Sequence, residues 1–323
     1  MFVVTGGAGF IGSAVVERLN REGITDILVV DNLGSSEKWR NLVRKRITSY
    51  LHKDHFLDLL SQDLVESPIE AIIHLGACTS TTEQNAEYLL QNNFSYSQLL
   101  CEWALEKGIR FIYASSAATY GDGKRGFSDD NSNSLTLEPL NGYGLSKQLF
   151  DQWAIGNNLD DQICGLKFFN VFGPNEYHKG DMASVVYKSF NQIVDRGSVQ
   201  LFRSYDPKYK DGEQLRDFIY VRDCVDVIWW LLNNQSVNGI FNLGTGKARS
   251  WNDLVGAAFS ALNKPTAITY IDMPEILQAK YQYFTEAKMD KLWAAGYTTP
   301  FTSLEEGVGD YLVNYLNPEM RTL

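Results

Sequence analysis

The sequence predicts an α/β fold in which a doubly wound parallel sheet carries a smaller, interleaved C-terminal lobe. Three observations point there. Short apolar runs alternate with helical periodicity through the first half of the chain. A glycine-rich turn follows the first of those runs directly, and the rhythm changes after about Asn170.

Five runs have the continuous apolar character of buried parallel strands: Phe2-Val3-Val4, Ile27-Leu28-Val29-Val30, Ala71-Ile72-Ile73, Phe111-Ile112-Tyr113 and Gly165-Leu166-Lys167-Phe168; a sixth, strand-like run, Ile240-Phe241-Asn242-Leu243, returns later in the chain. Between the early runs, Ser13 to Arg21 and Glu83 to Lys107 are periodic and long enough for crossover helices. Beyond Asn170, loops from Gly173 to Asp181 and Ser204 to Gln214 surround one helix and short strands, and helices are expected near Trp251 to Leu262 and Leu304 to Leu316. Trp229 and Trp230 fall on a further helix and suit core or subunit packing. The division expected is 1–170 plus about 216–246 for the sheet domain, with 171–215 and 247–323 forming the second lobe.

Bulk properties exclude several classes. A length of 323 residues allows one large unit with an attached lobe. A net charge of −10 argues against nucleic-acid binding, which needs a positive face. No apolar run approaches the roughly 18 residues of a membrane span, and the start shows no secretory pattern, so a cytoplasmic location is expected. Cys78, Cys101, Cys164 and Cys224 lie far apart and suit reduced thiols, mostly buried. The four histidines give no metal-ligand spacing, so no metal is expected.

Gly6-Gly7-Ala8-Gly9-Phe10-Ile11-Gly12 sits between a strand and a helix. In such a turn Gly6 permits the tight bend, Gly9 lets the backbone approach a pyrophosphate, and Gly12 allows close packing. The helix N-terminus supplies free N–H donors. Asp31 ends the second strand, where an acid hydrogen-bonds an adenosine ribose, and the pattern is the Rossmann type. Asp31 favours NAD. Downstream, Lys38, Arg40, Arg44, Lys45, Arg46 and Lys53 form a basic stretch that could meet a 2′-phosphate, so the residues alone leave NAD against NADP open.

Tyr143 and Lys147 stand at i and i+4, on one helix face. A phenol is a poor base near its ordinary pKa of about 10, and a neighbouring ammonium stabilises the phenolate. The pair can therefore take a hydroxyl proton as a hydride leaves. Upstream, Tyr113 to Gly121 is rich in small hydroxyl residues, and Ser116 is the candidate to orient the reacting oxygen. Arg216 beside Asp217 reads either as a structural ion pair or as a bidentate pyrophosphate ligand.

Together the glycine turn, the Ser115-Ser116-Ala117-Ala118-Thr119-Tyr120-Gly121 strand end, Tyr143-x-x-x-Lys147, Phe169 to Pro174 and Arg216 to Asp223 resemble the extended short-chain dehydrogenases that act on nucleotide sugars. Gly76 to Glu83, His178-Lys179-Gly180, Met182 to Val185 and Tyr281 to Thr285 are similar to the branch that epimerises ADP-linked heptoses at C6″. The likeness implies bound NADP, with Phe10, Ile11, Asp31, Asn32, Lys38, Lys53, the loop Leu75, Gly76, Ala77, Cys78 and Thr79, Asn92, Lys147 and Val171 as contacts. It implies an ADP-heptose site at Ser116, Asn170, Asp181, Lys188, Phe202, Arg203, Ser204, Arg216 and Tyr281. Asp181 stands where the family has a serine and Lys188 where it has a histidine, and the loop from Tyr205 to Leu215 is longer than usual. The family's second acid/base maps to Lys179, which from the residues alone could equally bind phosphate. A homo-oligomer, a homopentamer by the same likeness, is also implied.

Two other readings share the scaffold. A UDP-hexose 4-epimerase would keep nearly every motif. A dTDP-hexose dehydratase needs an Asp-Glu pair where this chain has Ala117-Ala118. A non-catalytic NAD(P)-binding regulator would keep the glycine turn but lose the proton-transfer groups, which are present here.

Overall fold

A computed structural model describes residues 1–65, 68–278, 281–317 and 322–323. Its strands are β1 (Phe2–Thr5), β2 (Ile27–Asp31), β3 (Ser49–His52), β4 (Ala71–His74), β5 (Arg110–Ser116), β6 (Cys164–Phe168), β7 (Asn170–Phe172), β8 (Val199–Phe202), β9 (Leu215–Tyr220), β10 (Gly239–Leu243), β11 (Ala248–Ser250) and β12 (Ile268–Ile271). Seven of them form one sheet in the order β10-β6-β5-β4-β1-β2-β3, every pair parallel. All six apolar runs lie in this sheet.

The side-chain period of two explains why those runs are uninterrupted. Val4, Val29, Ile73 and Ile112 pack into one apolar cluster, while Val3, Leu28, Ile72 and Phe111 pack into another. Neighbouring residues thus point to opposite, covered faces. The edge strand β3 has no such demand. Its ends are exposed and its centre is only half-buried, and no apolar run announces it.

Crossover helices flank the sheet. Phe10–Arg21 follows β1 and packs beside Val221–Asn233. The helix expected between Glu83 and Lys107 begins at Ala86, capped by the Asn85 side chain, and widens to π geometry over Leu90–Ser95 before running on to Glu106. Gly142–Gly156 starts where Asn141 Oδ1 accepts the Gly144 N–H at 2.8 Å. Tyr143 consequently sits in a first turn, at the positive end of the helix dipole.

Two smaller sheets, β11-β9-β7 and β12-β8, are built from strands at or beyond Asn170. The helix Trp251–Ala261 and a helical stretch running from Leu304 through Leu316 fall where the sequence placed helices. Trp230 packs edge-on against Tyr297 and Arg18 lies over Trp229, so both indoles are used in packing within the chain. Cys101, Cys164 and Cys224 are buried free thiols, and Cys78 is half-buried. Among the described residues no helix is long and apolar enough to cross a membrane.

Candidate active site

A cavity of about 740 Å³ opens at the carboxyl ends of β1, β4, β5 and β6, where the strand order reverses between β1 and β4. Gly6, Gly9, Phe10, Ile11, Gly12, Asp31, Lys38, Leu75, Gly76, Ala77, Cys78, Thr79, Ser116, Tyr143, Lys147, Asn170, Val171 and Lys179 all line it. Residues that the sequence could relate only by motif therefore share one wall.

The glycine turn is built by close approach. Gly6 has φ +66°, and a methyl there would lie 2.7 Å from the Gly76 nitrogen. At Gly12 a methyl would lie 2.1 Å from the Gly6 carbonyl oxygen, so its bareness closes the turn upon itself. Gly9 brings no side chain to the helix's first N–H groups, which are left for a ligand anion. Asp31 is buried: Oδ2 accepts the Ala8 N–H at 2.9 Å, while Oδ1 accepts the Asn32 N–H at 2.7 Å and Lys38 Nζ at 2.6 Å. These features fit the pyrophosphate and adenosine ribose of a dinucleotide.

The loop from Leu75 to Thr79, which Gly6 abuts, is held from behind. Thr5 Oγ1 accepts the Gly76 N–H at 3.1 Å and contacts His74 Nδ1 at 2.6 Å, and His74 Nε2 contacts Ser97 Oγ at 2.8 Å. Burial drives His74 down to about 3, so it bridges as a neutral ring. Asn93, which sequence reasoning missed, accepts the Cys78 N–H at 2.8 Å and donates to the Cys78 carbonyl at 2.9 Å and to Ser146 Oγ at 3.0 Å. Its neighbour Asn92 donates to Asn93 Oδ1 and does not line the cavity. A mid-helix asparagine carries no sequence signal of this clamp.

Ser116 ends β5. Its Oγ accepts the Ala118 N–H at 3.1 Å, which leaves its own proton to donate. Lys147 is 4% exposed and donates to the Ala114 carbonyl at 2.8 Å. Burial pushes the Lys147 ammonium down to about 8, opposed by Asp151. Burial raises the Tyr143 phenol, and the group that lowers it is Ser116. The sequence had assigned that lowering to Lys147; the lysine instead directs its ammonium to a backbone carbonyl.

Lys179 also faces this cavity, from a turn over Tyr177–Met182. Its Nζ lies 5.4 Å from the Phe10 ring centre. Burial lowers its pKa, and buried Glu176 raises it. Beside it, His178 was missed as a wall residue; burial takes it down to about 4, followed by the repulsion of Lys179.

Several expected residues do not line the cavity. Asn32 caps the following turn by accepting the Gly34 N–H. Lys53 pairs with Asp54 at 2.9 Å. Lys188 donates to the Asp181 carbonyl at 2.6 Å, so those two departures from the family pattern meet each other. Phe202 closes β8, Arg203 is half-exposed near Asp272 at 3.7 Å, and Ser204 braces the long loop through Asp206 and Asp211. Arg216 is buried and donates to the Leu215 and Gln282 carbonyls, between the rings of Trp251 at 5.7 Å and Tyr281 at 5.2 Å. It is not paired with Asp217, whose carboxylate accepts from Thr245, Gly246 and Ala287. Trp251 and Gln282 line the cavity, so Arg216 and Tyr281 stand just behind its rim.

Comparison with known proteins adds names. The profile of the NAD dependent epimerase/dehydratase family matches residues 2–244. ADP-L-glycero-D-manno-heptose-6-epimerase of Nitratidesulfovibrio vulgaris (strain DP4) is 59% identical over 98% of each chain, and that of Fusobacterium nucleatum is 51% identical over 99% of each. The crystal structure of the Helicobacter pylori enzyme of that name superposes with a TM-score of 0.82 at 30% identity, covering 97% of this chain and 95% of the other.

Proposed function

The chain belongs to the NAD dependent epimerase/dehydratase family, and from that premise we propose that it inverts C6″ of ADP-D-glycero-D-manno-heptose, giving the L-glycero epimer, a precursor of lipopolysaccharide core. It is an isomerase of nucleotide-linked sugars that works with a nicotinamide cofactor. The observation that carries the reading is the convergence of Ser116, Tyr143, Lys147 and Lys179 on the cavity that also holds the glycine turn.

A nicotinamide cofactor held by the glycine turn, Asp31 and Lys147 would supply reversible hydride acceptance at the carbon undergoing inversion. The chain handles the proton. Tyr143, as phenolate, takes it from the C6″ hydroxyl while Ser116 donates a hydrogen bond to the same oxygen. Lys147 supplies positive charge beneath them. Once the carbonyl has turned over, Lys179 serves as acid from the second side. Residues 1–170 with about 216–246 are assigned to the dinucleotide, and 171–215 with 247–323 to the sugar nucleotide. Asn170, Arg216 and Tyr281 are assigned to the substrate, with Asp181, Lys188, Phe202, Arg203 and Ser204 on the lobe that closes over it. A homopentamer in the cytoplasm completes the reading by family likeness.

NADP is the cofactor we infer. Lys38 neutralises Asp31 across 2.6 Å, which removes the carboxylate's repulsion of a 2′-phosphate and leaves ammonium protons to bond it. Lys38→Ala is expected to weaken NADP binding by up to about fivefold, as befits one partly exposed charge contact, while changing NAD binding little. Fluorescence titration of the two dinucleotides checks this, and equal losses for both would favour NAD.

The substrate assignment is tested by incubating the purified chain separately with ADP-D-glycero-D-manno-heptose and UDP-galactose. Epimerisation of the first alone is expected. Turnover of UDP-galactose alone would move the chain to the 4-epimerases.

A further inference from the structure

The helix Gly142–Gly156 continues its functional face one turn past Lys147, to Asp151. Tyr143, Lys147 and Asp151 stand at i, i+4 and i+8 and so form one stripe. Asp151 is wholly buried, as is Lys167 from β6, and their charged atoms are 2.5 Å apart. The same carboxylate accepts from Tyr113 at 2.9 Å and Ser115 at 2.7 Å, both on β5, and Lys167 also donates to Thr119 at 3.0 Å. Ser115 is the residue before Ser116.

We propose that Asp151 is a positioning residue for the proton-transfer pair: its carboxylate holds Lys147 as the ammonium and fixes the end of β5 that presents Ser116 to Tyr143. A buried ion pair is a poor source of stability by itself, because desolvation offsets the attraction. This one lies where its negative end can act on the catalytic lysine. The proposal rests on reading Tyr143 and Lys147 as that pair.

Among the groups that act on Lys147, His74 from β4 is neutral and Asp151 opposes burial, while the same carboxylate joins burial in raising the Tyr143 phenol. Around Asp151 stand Tyr113, Ser115, Thr119 and Lys167, with the Tyr120 ring 5.3 Å from Lys167 Nζ. Asp151 thus pairs directly with Lys167 and stands one helical turn from Lys147, whose burial it opposes.

The test uses the full chain as Asp151→Asn, Asp151→Asn/Lys167→Met and Asp151→Glu. The double variant removes both members of the Asp151–Lys167 pair, so Lys167 is not left unpaired, and it reads the role at Lys147 even where the single asparagine variant folds poorly. Lysine ε-carbons labelled with ¹³C are titrated by NMR, the Lys147 signal being assigned from Lys147→Arg. In the double variant Lys147 is expected to titrate about one pH unit or more below wild type. The alkaline limb of the kcat profile moves down with it and KM changes little, while Asp151→Glu restores both positions. An unmoved Lys147 titration, or a uniform loss of activity at every pH with the limbs in place, overturns the proposal and leaves the pair purely structural. The NMR arm needs no substrate: a wild-type chain inactive on ADP-heptose would sink the sugar assignment, and the titration would still decide the role of Asp151.

Discussion

Tyr143→Phe is expected to lower kcat for C6″ epimerisation by roughly 10²–10⁴-fold, the range that one positioned acid/base supplies. KM and the content of bound cofactor should stay near wild type. The phenyl ring still fills its place beside Ser116, while the oxygen that exchanges the proton is gone. Lys179→Met is expected to give a loss of the same order for a different reason. Methionine keeps the length of the side chain but removes the ammonium, which lies over the Phe10 ring and feels the charge of buried Glu176. The two variants are distinguished by assaying each from the D-glycero and the L-glycero epimer separately: loss of the acid/base on one side slows oxidation of the epimer whose hydroxyl faces that side more than oxidation of the other. Wild-type turnover in either variant would remove that residue from the chemistry.

Gly12→Ala is expected to abolish retention of the dinucleotide and to destabilise the fold by about 1–3 kcal/mol or more, the cost of overpacking a closed site. The new methyl would need the space of the Gly6 carbonyl, 2.1 Å away, and that contact is backbone with nowhere to yield. Gly256→Ala provides the matched control. It lies in the helix Trp251–Ala261 with no atom within 4 Å of the added methyl, so a gain of about 0.5–1 kcal/mol is expected from helix preference. Thermal melts and the absorbance of dinucleotide released on denaturation read both. Retention of full cofactor by Gly12→Ala would show that the turn is looser than its geometry.

These effects trace back unevenly to the sequence. The buried strands were legible because a parallel strand covered on both faces must be apolar at every position, as Ile27 to Val30 are. β3 was silent for the opposite reason, lying at an edge with Ser49 and His52 exposed. Gly6, Gly9 and Gly12, and the Tyr143–Lys147 spacing, are local patterns, so the chain itself displays them. The basic run was not legible residue by residue. Only the fold separates Lys38, which reaches Asp31, from Arg40, which pairs with Glu37, and from Arg46, which caps the Asn20 carbonyl. Asn93 and Asp151 were illegible altogether, because a polar side chain in a helix looks the same whether it meets water or a loop folded over it. The expectation that Lys147 depresses Tyr143 also came from spacing alone, and spacing does not say that the ammonium is turned toward Ala114.

The guanidinium of Arg216 shows what such burial does for recognition. Removed from water and flanked by two aromatic faces, with carbonyl oxygens as partners and no carboxylate bridging it among the described residues, it keeps an unneutralised cation in dry surroundings. Folding has already stripped its hydration. If Arg216 meets the substrate's diphosphate as proposed, the diphosphate would shed only its own water there and a neutral sugar of the same shape would gain nothing, so charged and uncharged visitors would be told apart before any hydride moves.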